Sequence, residues 1–90
     1  MMPLFALICR DNPGMLDTRK ANRERHLAYI NDTGVVRIAG PILENGDMCG
    51  SIVVIEADDM AAAQAWADAD PYKAADLFQN VEIFEWKQVV

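Results

Sequence analysis

His26 is the single histidine among 90 residues, and it is the one side chain in this sequence whose ordinary proton affinity suits acid-base work near neutral pH. Arg23 stands three positions before it and Tyr29 three after it, so on a helix the three share roughly one side. A guanidinium one turn away favours the neutral, proton-accepting ring, the form a general base needs. Taken by position alone, the same residue also reads as an exposed histidine on a polar helix.

Asp70, in Ala67-Asp68-Ala69-Asp70-Pro71-Tyr72, has a structural job available. An aspartate before proline caps a helix, because its oxygen accepts from the free amides of the first turn and proline there has no N–H to satisfy. If its helix packs beside the one carrying His26, the carboxylate comes near the ring. Such a pair fixes the tautomer and stabilises the protonated ring, against the effect of Arg23. Gly40-Pro41 ends one strand and Ser51 opens the next, so backbone amides and a hydroxyl could line the same recess, although hairpin construction explains them equally well.

Other candidates carry less. Cys9 and Cys49 have no Cys-x-x-C spacing and no histidine nearby, which points to reduced, strand-associated residues rather than a disulfide framework or a zinc site. One histidine without a close ligand cluster makes a poor metal site, and none is expected; no cofactor is expected either. Glu82 and Glu85 fall on opposite faces of a strand, which speaks against paired-carboxylate chemistry. Trp66, Phe78, Phe84 and Trp86 read as core aromatics.

The elements that would position these residues follow from pattern. Leu4 to Cys9 is a short apolar run closed by Arg10-Asp11-Asn12-Pro13-Gly14, hence a first strand and a turn. A helix is predicted from about Met15 to Asp32, with Leu16, Leu27 and Ile30 near one face, Arg23 between them, and Gly34 ending it in the left-handed conformation. Val35 to Ala39 is a brief second strand stopped at Gly40-Pro41, since proline removes a ladder donor. A turn around Glu44 to Asp47 leads to a third strand, Ser51 to Glu56, making the pair a hairpin. Asp58 or Asp59 caps an alanine-rich helix from Met60 to Ala69, a short extra helix runs from Tyr72 to Gln79, and Val81 to Lys87 is the last strand.

The order β-α-β-β-α-β is the ferredoxin-like, split βαβ plan: an α+β domain with one antiparallel sheet and both helices on one face. Ninety residues make one such domain, spanning 1–90. Strands one and three are apolar on both faces, so a second copy is expected to pack sheet to sheet on the open one. A hydrophobic fraction of 52% and no linker-like tract imply an ordered chain. With a net charge of -6 and no clustered cations, nucleic acid is an unexpected partner. The first apolar run is too short for a membrane span and lacks the flanks of a signal peptide, so a cytoplasmic location without membrane association is expected.

Together, Arg23-x-x-His26-Leu27-x-Tyr29, Gly40-Pro41, Gly50-Ser51 and the run from Ala63 through Asp70-Pro71-Tyr72 resemble the YCII-related (YciI-like) family of small dimeric α+β barrel proteins. The resemblance spans nearly the whole chain. It implies a ferredoxin-like subunit, a homodimer, and a pocket in which His26 and Asp70 form a catalytic dyad, with Arg23, Gly40, Pro41, Ser51 and Tyr72 lining or shaping it. Acid-base chemistry of a lyase or hydrolase kind on a small molecule is the activity implied. The alternative is a module that senses a metabolite in the same pocket without turning it over. The loop between Leu43 and Gly50 is shorter than the family pattern, which removes any ligand contact a longer loop would supply.

Overall fold

A computed structural model describes residues 2–90. The chain runs β1 (Leu4–Asp11), α1 (Leu16–Thr33), β2 (Val36–Glu44), β3 (Asp47–Glu56), α2 (Met60–Asp68), α3 (Pro71–Ala74) and β4 (Phe78–Trp86). The strands form one antiparallel sheet in the order β2-β3-β1-β4, the α+β arrangement expected from the element order. Pairing fixes which side chains share a face. The row Ala39-Val53-Leu7-Ile83 and the next row Pro41-Ser51-Cys9-Val81 look toward the helices. There Phe5, Leu7, Cys9, Val53 and Ile55 pack with Ala63, Trp66 and Ala67 of α2 to form the core.

Local signals set the element ends. Gly34 adopts φ 66 and its N–H closes α1 onto the Ile30 carbonyl, the left-handed stop glycine allows at low cost. The Asp59 carboxylate accepts from the Ala62 amide at 2.8 Å, which makes Asp59 rather than Asp58 the cap of α2. The β2-β3 hairpin turns on Asn45 and Gly46, both at positive φ, as a two-residue type I′ turn requires.

Four expectations are corrected: Phe84 and Trp86, read as core aromatics, are 50% and 42% exposed on the sheet face that carries no helix, and three readings of the elements change. β2 does not stop at Gly40-Pro41 but continues to Glu44. It is an edge strand, so the donor that Pro41 lacks is missing on a side where no ladder needs it. The helix after Asp70 ends at Ala74 instead of Gln79. Asp76 takes φ 55, the Leu77 amide turns back to the Tyr72 carbonyl at 3.1 Å, and Phe78 already pairs with Asp11. Finally, the buried stripe of α1 is Arg19, Asn22 and His26, while Leu27 is exposed; the inner face of this helix is polar because a buried site lies beneath it.

The opposite sheet face has no helix on it. Its row Ile38-Val54-Ala6-Phe84 crosses all four strands, and Ile38 and Phe84 are 63% and 50% exposed. No helix of the chain is long and apolar enough to cross a membrane.

Candidate functional site

Asp70 is the N-cap of α3, with its Oδ1 accepting from the Tyr72 amide at 2.9 Å. The same oxygen lies 2.9 Å from His26 Nδ1 on α1, and both side chains are buried. With Pro71 at the first position, α3 starts rigidly where the carboxylate must stand. Tyr72 follows at once and lays its ring on the imidazole, centroids 3.9 Å apart and planes 12° from parallel. Phe78 stands perpendicular to that tyrosine ring, with centroids 5.8 Å apart. The imidazole is therefore held by a carboxylate at Nδ1 and an aromatic ring on its face.

A second buried ion pair supports the tyrosine. Arg19, two helical turns before His26, donates through Nε and Nη2 to both carboxylate oxygens of Asp11, at 2.7 and 2.8 Å. Asp11 ends β1 at a break in the β1-β4 register. Arg19 Nη2 also donates to Ser51 Oγ at 3.0 Å, and its guanidinium sits 4.8 Å from the Tyr72 ring centroid, a cation-π distance. Burial pulls the Arg19 proton affinity down, but the Asp11 hydrogen bond and charge more than offset this, so Arg19 stays a cation. Burial pushes the Tyr72 phenol up, with Asp70 and Asp11 adding to the shift and Arg19 and Arg23 opposing it; the phenol is neutral at physiological pH.

These groups border a cavity of about 150 Å³. Its polar wall is Arg19, Arg23, His26 and Ser51; Leu27, Ile30, Pro41, Met48 and Val53 supply apolar surface, and Ala39, Gly40 and Tyr72 complete the lining. Arg23, on the exposed side of α1, has no acidic partner among the described residues. All seven site residues singled out in the sequence thus gather in one place, with Asp70 behind His26 and the other six on the cavity wall. Tyr29 does not join them; its hydroxyl donates to the Trp66 carbonyl at 2.7 Å, tying α1 to α2. Sequence reasoning missed Arg19 and Asp11. Arg19 stands seven positions before His26, two turns along the same face, which was a usable signal; Asp11 sits in a cluster of turn formers and gave none.

Cys9 lies beneath the site, where burial, reinforced by Asp70, pushes its thiol up to about 12. Both cysteines are free. Among the described residues no group of three or more histidine, cysteine or acidic side chains is arranged to hold a metal ion.

A ferredoxin-like subunit whose helical layer encloses a histidine-carboxylate pair and a small cavity is the class that fold and site define. The pattern of the YCII-related domain matches residues 3–87, and the chain belongs to that family. It is 35% identical to protein YciI of Escherichia coli O6:H1, over 96% of this chain and 98% of that one. It is 30% identical to an uncharacterised protein of Haemophilus influenzae, over 94% and 97%. Among solved structures, 5-chloro-2-hydroxyhydroquinone dehydrochlorinase from Burkholderia phenoliruptrix, in complex with 2,5-dihydroxybenzoquinone, superposes with a TM-score of 0.88 and 32% identity over 93% of each chain. SnoaB, a cofactor-independent oxygenase of Streptomyces nogalater, shares the fold with a TM-score of 0.64 and 14% identity, over 100% of this chain and 98% of that one.

Proposed function

We propose that the protein is a small-molecule enzyme of lyase or hydrolase type in which His26, oriented by Asp70, moves a proton while Arg23 holds an anionic or carbonyl oxygen. The observation that carries this reading is the buried 2.9 Å contact between His26 Nδ1 and Asp70 Oδ1 on the wall of a cavity. With a carboxylate as acceptor, Nδ1 carries the proton and the lone pair of the neutral ring belongs to Nε2. Among the described residues every fully buried side-chain nitrogen and oxygen has a partner. Nε2 has none among the described residues, so it is not fully buried and is the nitrogen left to face the cavity that His26 lines.

The Burkholderia relative supports a lyase reading. Dehydrochlorination of a chlorinated hydroxyhydroquinone removes a proton and expels chloride, which needs a base and anion stabilisation. His26 and Arg23 supply both. The test is chloride release from 5-chloro-2-hydroxyhydroquinone by the wild type and by His26→Ala. A general base predicts loss of ~100-fold or more with an unchanged circular dichroism spectrum. Should the compound bind, depend on Arg23 for affinity and be recovered unchanged after prolonged incubation, the cavity is a sensor site and the enzyme reading fails.

The same proposal includes a homodimer through the open sheet face, in the cytoplasm. Its support is the uncovered apolar surface around Ile38, Ile52, Phe84 and Trp86, which a monomer would leave in water.

A further inference from the structure

Ser51 lines the cavity and is 4% exposed. A serine hydroxyl has one proton to donate and two lone pairs to accept with. Its oxygen accepts from Arg19 Nη2 at 3.0 Å, and a guanidinium has no lone pair with which to receive a proton in return. Among the described residues the Ser51 hydroxyl makes no other hydrogen bond. Arg19 cannot swing aside to change this. Its Nε and Nη2 are gripped by Asp11 at 2.7 and 2.8 Å, in a pair whose side chains are only 3% and 6% exposed, and its flat face rests near the Tyr72 ring. The arginine thus holds one lone pair of the serine oxygen and leaves the proton unspent, beside a cavity.

We infer that Arg19 is a positioning residue. By occupying one lone pair of Ser51 Oγ with a donor that cannot accept in return, it turns the hydroxyl proton toward an oxygen of the bound small molecule. That oxygen must accept from Ser51 beside the Arg23 cation, as a carbonyl, enolate or phenolate oxygen does. A cavity of about 150 Å³ matches a single ring, so the ligand class is a compact ring bearing such an oxygen. The inference rests on the proposed reading of the cavity as a small-molecule site, but not on His26 acting as a base. Asp11 has a role on the same logic: it fixes Arg19 in the orientation in which donation to Ser51 is the remaining option.

The experiment is an equilibrium titration with 2,5-dihydroxybenzoquinone, followed by its visible absorbance. Ser51→Ala deletes the donor and weakens binding by about tenfold, the ratio expected for one net hydrogen bond. Arg19→Gln places an amide oxygen where only donors stood, captures the serine proton, and falls to the Ser51→Ala level. Arg19→Lys is again donor-only and recovers affinity to within about threefold of the wild type. Adding Arg19→Gln to Ser51→Ala costs nothing further. Because Arg19→Gln alone would strand a buried carboxylate, Asp11→Asn/Arg19→Gln serves as a charge-neutral companion, and Ser51→Ala decides the donor role without touching the ion pair.

Wild-type affinity in Ser51→Ala overturns the inference. So does an Arg19→Gln loss that persists undiminished in the Ser51→Ala background, or an Arg19→Lys protein no better than Arg19→Gln, since a packing role would behave in those ways. Absence of binding to the wild type up to ~1 mM overturns the ligand class. His26→Gln separates the two proposals: if it keeps full chloride release while the Ser51 and Arg19 pattern holds, the acid-base reading falls and the oxygen-donor assignment stands.

Discussion

Asp70 serves two partners with one oxygen. Oδ1 accepts the Tyr72 amide that starts α3 and also faces the imidazole of His26, so capping and orienting are not competing explanations of the residue. Asp70→Asn keeps an oxygen for the cap and removes the charge. Its stability should fall by about 1 kcal/mol or less, measured by urea denaturation, while turnover through His26 should drop by ~100-fold. A variant that lost stability and activity in proportion would mark Asp70 as structural only. Cys9 makes a separate, pH-dependent statement. Its thiol is raised by burial from 9.0 to about 12, so the folded protein holds this proton longer than the unfolded chain. That contribution to stability is complete below pH 9 and is lost as pH climbs from 9 toward 12, with a slope of up to about 1.4 kcal/mol per pH unit. Tyr29 and Tyr72, also raised by burial, act in the same direction. Cys9→Ala should therefore flatten the alkaline decline in part, and iodoacetamide at pH 8 should label the more exposed Cys49 well before Cys9. Rapid labelling of both thiols in the folded protein would contradict this.

At the scale of elements, the site depends on how closely β1 and β3 approach. Gly50 sits where an added Cβ would come 2.3 Å from the Cys9 carbonyl oxygen, backbone that cannot yield without parting the strands. Gly50→Ala should cost about 1–3 kcal/mol by urea denaturation and displace Ser51, its neighbour; unchanged stability would mean that the sheet absorbs the methyl elsewhere. This intolerance was invisible in the sequence, where Gly50 reads only as the start of an apolar strand. What was legible rests on local rules: Gly34 as a helix stop, an aspartate cap before α2, Asp70-Pro71 as a helix start. Each of these is decided within a few residues, and each holds. What was not legible depends on neighbours far along the chain. Pro41 ends a strand by its own chemistry, yet β2 runs through it because the sheet order puts β2 at an edge. Arg19 reads as one more solvated cation until the end of β1 brings Asp11 against it. Asp76 stops α3 early because Phe78 must already pair with Asp11. The gathering of His26 with Asp70 lies between these cases. Its residues stood out by type, and the packing of both helices on one sheet face brought together side chains 44 positions apart.

For the whole molecule, the decisive feature is that the two sheet faces have different occupants. Helices and the cavity take one; the other, crossed by Ile38, Val54, Ala6 and Phe84, has none. Four strands at normal spacing make this uncovered face roughly 400 Å² in projection, near the largest apolar patch a soluble monomer tolerates. A second copy applied face to face would bury it twice over, and the antiparallel sheet lets side chains of both copies interdigitate without unpaired backbone between them. Phe84, half-exposed near the end of β4, faces away from the helical side of the sheet, so Phe84→Glu tests the assembly without disturbing His26. The wild type should sediment as a dimer at micromolar concentration, and Phe84→Glu as a monomer, because two carboxylates would be brought into one dry interface. If the variant still binds 2,5-dihydroxybenzoquinone with wild-type affinity, each protomer carries a complete site and the dimer serves stability. A monomeric wild type would refute the assembly while leaving the proposed cavity chemistry untouched, since His26, Arg23 and Ser51 all line the cavity on the helical side of the sheet.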